Sequence, residues 1–258
     1  MHLEPWQWAL AALGAFVAGM SKTGIAGLGI LCVAIFANIL PAKQATGLVL
    51  PLLVFGDVLA VATYRRHTVW RHLWRLFPWT ALGVGLGTLA LGRLNDQEVR
   101  RLVGGIIVAM FVLHLWWKRQ DGVRAGADGS AAAAPEAWLE RTPPWFAPAV
   151  GVLAGFTTQV ANAAGPIMIL YLLAMRLPKM EFVGTGAVFF LCLNLFKAPF
   201  MVGLGMITLA SIGANLLLVP AVLAGALAGR WVLQRLNQRW FELIALGLTL
   251  AAGAKLLL

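Results

Sequence analysis

GMSKTGIAGLG at residues 19–29 and GFTTQVANAAGP at 155–166 are small, polar interruptions inside two long apolar stretches. Those stretches, 6–40 and 145–177, are too long for one membrane crossing, because a spanning helix needs about 20 mostly apolar residues. Each is expected to be a pair of short helices meeting at a break, either as two short crossings or as a re-entrant hairpin. Around them, six apolar runs at 44–64, 76–92, 102–117, 182–202, 210–229 and 241–258 have the length of single spans.

Composition supports this reading. Of 258 residues, 60% are hydrophobic and only 12% charged, against about 25% charged in soluble domains. An ordinary cytosolic enzyme, a disordered chain and a nucleic-acid binder are excluded, although a net charge of +10 would by itself suggest the last. Cys32 and Cys192 lie in apolar runs and read as small buried hydrophobes. The N-terminal MHLEPWQWAL has no basic n-region and is read as part of the mature chain. Residues 118–144 mix charge with Gly, Ala and Pro and read as a linker with room for a short surface helix. The eleven tryptophans all fall near proposed segment ends, as an aromatic belt does.

The halves on either side of the linker repeat. Gly19 and Gly29 match Gly155 and Gly165 at a spacing of 136, and Thr46-Gly47 matches Thr185-Gly186 at 139. Pro78, Gly83, Gly87 and Gly105 match Pro220, Gly225, Gly229 and Gly247 at 142. Domains of 1–117 and 145–258 are therefore expected, joined by 118–144.

Charge placement orients them. If each broken region enters and leaves on one side, loops 65–75, 118–144, 176–181 and 230–240 lie together and carry thirteen Lys and Arg, against five on the other side. Single crossings would give nine on each side and no asymmetry. The positive-inside rule selects the first map, with the linker cytoplasmic and both termini periplasmic or extracellular. Each half then crosses an odd number of times, so the expectation is an all-α integral membrane protein of two inverted-topology repeats. Each repeat holds an interrupted or re-entrant helix pair plus three transmembrane helices. Inverted repeats with broken helices are a transporter architecture.

Two basic residues remain inside the membrane region, Lys22 and Lys197, together with one acidic residue, Asp57. A charge at a helix centre costs roughly 2.5–3.5 kcal/mol even on the lenient insertion scale, so each needs a partner, water or a function. Lys22 reads either as a snorkelling residue or as part of an anion site. For the second reading, Ser21 and Thr23 would cap the helix after Gly24, whose N-terminus favours negative charge. In the second half Thr158, Gln159 and Asn162 supply polar groups before Gly165-Pro166, and the inverted repeats would aim both helix N-termini at one midplane point. Asp57 and Lys197 either pair with each other across the halves, or Asp57 couples transport to protons while Lys197 attracts the anion. Asn194 shares the helix face of Lys197, with Thr185 nearby. No His, Cys or carboxylate cluster has metal-ligand spacing, so neither metal nor cofactor is expected. GMSKT at 19–23 lacks the Gly before Lys of a phosphate-binding loop, and no Ser lies in GxSxG, so no enzymatic activity is expected.

SKTGIAGLGIL at 21–31, LPLLVFGDVLAVATYRRHTVW at 50–70, the run from GFTTQVANAAGP through GTGAVFF at 155–190 and LNLFKAPF at 193–200 resemble the TauE/SafE family of sulfite exporters and toluene-sulfonate uptake permeases. The resemblance covers nearly all of the chain except the linker. It implies a bacterial inner-membrane carrier of sulfite, organosulfonates or related small anions, partnered by the lipid bilayer and compatible with a homo-oligomer. Where many members repeat their first Gly-rich motif, this chain has Gln159, Asn162, Ala163 and Ala164. The alternatives from other classes are an anion channel and a non-transporting membrane scaffold or assembly protein.

Overall fold

The computed structural model describes residues 4–91, 93, 96–128 and 143–257, and among these described residues there are ten α-helices and no strand. They are α1 (Pro5–Thr23), α2 (Gly29–Ile39), α3 (Ala42–Tyr64), α4 (Trp70–Ala90), α5 (Asp96–Asp128), α6 (Phe146–Ala161), α7 (Ala164–Ala174), α8 (Lys179–Gly203), α9 (Leu209–Arg235) and α10 (Gln238–Leu257). Every run expected to be a single span lies in one helix, within a few residues at its ends. Three segments, Gln44–His67, Lys179–Gly203 and Ser211–Arg235, are long and apolar enough to cross a membrane, and Arg101–Trp116, Phe146–Ala161 and Ala164–Ala174 are shorter apolar helical stretches.

Both interrupted regions are helical hairpins. In the first, Ser21 lies against Gly29, Gly14 against Phe36, and the Gln7 side chain reaches the Ile39 carbonyl, so α2 runs back along α1. In the second, Phe146 at the start of α6 stacks on Tyr171 near the end of α7, with 5.7 Å between ring centroids. The return legs α2 and α7 have 11 residues each. At 1.5 Å per residue that is about 16 Å, roughly half of a bilayer's hydrocarbon thickness.

Glycines set the helix pairing by close approach. A Cβ at Gly19 would lie 2.0 Å from the Val222 carbonyl oxygen, and one at Gly225 would lie 1.9 Å from that of Phe16. With Gly24 at the end of α1 against Gly229 further along α9, these contacts hold α1 parallel to α9. In the same way a Cβ at Gly155 would lie 2.1 Å from the Thr80 oxygen and one at Gly83 2.2 Å from that of Val152, and with Gly151 against Leu76 before them and Gly87 against Gln159 after them, α4 is held parallel to α6. Small residues let backbones touch where lipid offers no hydrophobic drive for association. α3 and α8 cross antiparallel, with Gly47 against Met206, Asp57 beside Asn194, and Tyr64 against Gly184.

One end of the bundle is knitted by polar contacts between loops. Thr68 Oγ1 donates to the Gly184 carbonyl and the Val69 amide donates to Thr185 Oγ1, at 3.2 and 2.9 Å. The Lys179 amide donates to Gln238 Oε1 at 2.7 Å, and its ammonium donates to the Leu233 and Leu236 carbonyls, closing the end of α9. The exposed Trp70, Trp74, Trp145, Trp231 and Trp240 lie on the helix ends around these loops.

α5 continues past its apolar run through Asp128, because Lys, Arg, Gln and Ala favour helix and no proline intervenes. The remainder of 118–144 lies largely outside the described residues. One expectation needs correction: Ser21 and Thr23 do not cap the second leg. Both belong to α1, and the residue before α2 is Leu28, which makes no side-chain cap.

Candidate functional site

The two hairpin tips meet halfway along α3 and α8. The first tip leaves α1 at Gly24 and turns at Gly27, whose φ of 101° is open to glycine at little cost. The last carbonyl of α1, that of Thr23, accepts a 2.9 Å hydrogen bond from the Tyr64 hydroxyl. The second tip turns at Asn162, which takes the left-handed conformation at φ 51° that Asn tolerates better than most residues. Its amide closes the end of α6 on the Thr158 carbonyl at 3.0 Å.

Three charged side chains converge there. Lys22 Nζ lies 2.7 Å from Asp57 Oδ1 and 4.4 Å from the centre of the Phe190 ring, a cation–π contact. The second carboxylate oxygen accepts a 2.6 Å hydrogen bond from Asn194 Nδ2. Lys197 is fully buried, and its ammonium donates to Thr158 Oγ1 at 3.0 Å, to the Thr158 carbonyl at 3.2 Å and to Asn162 Oδ1. Each half thus joins its broken hairpin to its own long helix. Lys22 and Asp57 form an ion pair, whereas Lys197 is held by neutral acceptors.

This arrangement corrects one expectation: Asp57 and Lys197 do not pair with each other. Asp57 turns to the first tip and Lys197 to the second, and Asn194 alone links Asp57 to α8 by a hydrogen bond. Thr185 is not part of the cluster, because its hydroxyl anchors the α3–α4 loop.

A cavity of about 100 Å³ lies between the tips, large enough for a small oxyanion. Ser21, Lys22, Thr158, Asn162 and Asn194 line it, together with Gly29 at the start of α2 and Ala164, Gly165 and Pro166 at the start of α7. The first N–H groups of a helix have no partner within it and carry partial positive charge, so both legs present anion-binding ends to one space. Lys197 stands one hydrogen bond behind this wall, through Asn162 and Thr158. The Asn162 amide is oriented by that contact: a lysine only donates, so Oδ1 must face it, and Nδ2 is left as a buried donor without a partner.

The other three residues singled out in the sequence face elsewhere. The Thr23 hydroxyl donates to the carbonyls of Ala226, at 2.6 Å, and Gly19, at 3.2 Å. Gly24 packs on Gly229, and Gln159 donates to Thr88 Oγ1 at 2.9 Å on α4. All three serve the contacts of α1 with α9 and of α6 with α4. Phe190 and Tyr64 were not read from the sequence. An aromatic in an apolar run carries no local sign of the cation or carbonyl that it will meet.

A family model described as sulfite exporter TauE/SafE matches residues 11–256. The chain belongs to the TauE/SafE family. No curated protein and no solved structure matches it. As a TauE/SafE protein it is a multi-pass membrane protein of a transporter family, not an enzyme, and the family's description points to sulfite and related sulfur anions as cargo. The second hairpin, the first hairpin from Ala11 onward, both long helices and the whole charged cluster fall inside the matched TauE/SafE region.

Proposed function

We propose that this protein is a secondary transporter that moves a small sulfur-containing oxyanion, sulfite, an organosulfonate or a relative, across the bacterial inner membrane by alternating access, with export as its direction. The observation that carries the proposal is the charge of the buried cluster. Lys22 and Asp57 compensate each other, and the Lys197 ammonium has no acidic partner among the described residues, beside a cavity faced by two helix N-termini. A buried charge without a counter-ion is costly, and an anion in the cavity supplies one. Asn162, Ser21 and Asn194 contact the anion, Lys22 and Lys197 hold it electrostatically, and Asp57 exchanges protons when the anion draws Lys22 away.

The carrier consists of two inverted repeats, 1–117 and 145–258, joined by 118–144. Support comes from contacts that recur at the sequence spacings: Gly19 meets Val222 and Gly155 meets Thr80, positions offset by 136 and 142. It comes also from the antiparallel crossing of the equivalent helices α3 and α8. The knitted end, where the loops after α3, α7 and α9 meet, is the cytoplasmic one in this scheme. Its loops are among the most basic, and its rim is rich in exposed Trp. Single cysteines at 65–75 and 93–101 are expected to label from opposite sides of the membrane with an impermeant maleimide. Labelling from one side would refute the topology.

Transport itself is tested by counterflow in proteoliposomes across sulfite, thiosulfate, sulfoacetate, taurine and acetate. Counterflow separates a carrier from a channel or a scaffold, because only a carrier accumulates label against an exchanging pool. In the same vesicles Asp57→Asn is expected to abolish pH-gradient-driven flux while retaining exchange. Unchanged gradient-driven flux would remove Asp57 from coupling.

A further inference from the structure

The walls of the cavity say what kind of anion fits, an inference that rests on the cavity being the transport site. Its polar side chains gather where the tips meet: Ser21, Lys22, Thr158, Asn162 and Asn194. Beyond them the lining turns to hydrocarbon. Leu172 lies two turns further along α7, about 12 Å from its first residue at 1.5 Å per residue, and Phe182 and Val183 stand opposite at the start of α8. No described side chain lining that part can hydrogen-bond or carry charge.

We propose that the preferred cargo is a monoanion with a single oxyanion head and a short apolar substituent. The head lies between the tips, where the Asn162 amide and the helix N-termini donate to it. The substituent lies against the first apolar turn of that lining, Met168 and Ile169 of α7. Two features of the site set this class. With both lysines protonated, the cluster holds two cations and one carboxylate, so a monoanion neutralises it whereas a dianion overshoots in a medium of low dielectric. A second charged or strongly polar group on the substituent would have to leave water for hydrocarbon without a partner. The volume of about 100 Å³ keeps the substituent short.

The test is competition in counterflow with the unmodified protein. Labelled ethanesulfonate is the tracer, and sulfite, methanesulfonate, ethanesulfonate, propanesulfonate, taurine and sulfoacetate are the competitors. Each methylene from methane- to propanesulfonate is expected to lower the half-inhibitory concentration about three- to fourfold, the gain for moving one such group out of water. Taurine, with an ammonium, and sulfoacetate, with a carboxylate, are expected to compete at least tenfold more weakly than ethanesulfonate. Ile169→Asn is expected to narrow that gap, and because the ranking is read on the native protein the result does not depend on this variant folding. Sulfoacetate or taurine competing as well as ethanesulfonate would overturn the proposal. So would a flat series of alkanesulfonates, while sulfite flux in the same vesicles would leave the transporter reading standing. Movement of none of these anions would overturn both.

Discussion

Asp57→Ala is expected to destabilise the protein by about 3–5 kcal/mol, and combining it with Lys22→Met is expected to recover most of that loss. Asp57 is fully buried and its carboxylate is satisfied by Lys22 and Asn194, so the pair is compact and desolvated. Removing one partner of such a pair costs about 3–5 kcal/mol because the other stays behind as an uncompensated charge. Here the penalty is compounded, since Lys22 would then share the cluster with Lys197 and two buried cations would have no anion between them. The double variant returns the cluster to one net positive charge and replaces the lost ion pair with apolar volume, an exchange that is often neutral or better. Thermal unfolding in detergent, followed through tryptophan fluorescence, measures the difference. If Asp57→Ala and the double variant unfold at the same temperature, Lys22 and Asp57 are not energetically coupled and the ion pair has no part in holding the first tip. Transport is expected to stay lost in the double variant, because the folded cluster would lack both the first-tip cation and the proton acceptor.

Height along a helix was legible in the sequence, and rotation about it was not. The breaks announce themselves because Gly, Ser, Thr and Asn interrupt apolar runs too long for one crossing, and both fall where the hairpins turn. The three buried charges also stood out as residues that an apolar segment does not carry without cause. Which neighbour each one meets depends on the face it occupies, and successive residues of a helix are about 100° apart. Lys22 and Thr23 show the consequence: Lys22 points to Asp57 and the cavity, whereas Thr23 points to the backbone of α9. Likewise Asn162 and Gln159 lie within one turn, yet one meets Lys197 and the other Thr88. The partners of Asp57 and Lys197 could not be settled from depth, since both hairpin tips reach the same level. The end of α5 was not legible for a different reason. Charge and glycine end the apolar pattern at 117, but helix formation needs only the backbone and a tolerant side chain, so the helix outlasts the apolar run.

Lys197→Met is expected to leave the fold intact and to weaken anion transport roughly tenfold to more than a hundredfold. A charge-assisted interaction contributes about 1.5–3 kcal/mol, and each 1.4 kcal/mol is a factor of ten in affinity. The stability side has two opposing parts. Thr158 and Asn162 lose their donor, at about 1–3 kcal/mol for each acceptor left buried and unpaired. Against this, the protein no longer has to bury an ammonium without an acidic partner, which on its own costs several kcal/mol. The two nearly cancel, so the unfolding temperature is expected to move by only a few degrees. The combination of an unchanged fold and a raised half-saturation is what separates an anion site from a structural lysine. Were Lys197 merely a clamp on the second tip, its loss would lower the unfolding temperature and leave the half-saturation of the folded fraction unchanged. Lys197→Arg keeps the charge but is not expected to rescue transport, because the planar guanidinium cannot place three donors on Thr158 and Asn162 within the space of one ammonium. Full activity in Lys197→Met proteoliposomes would remove the positive charge from the binding mechanism and leave the helix N-termini to hold the anion without it.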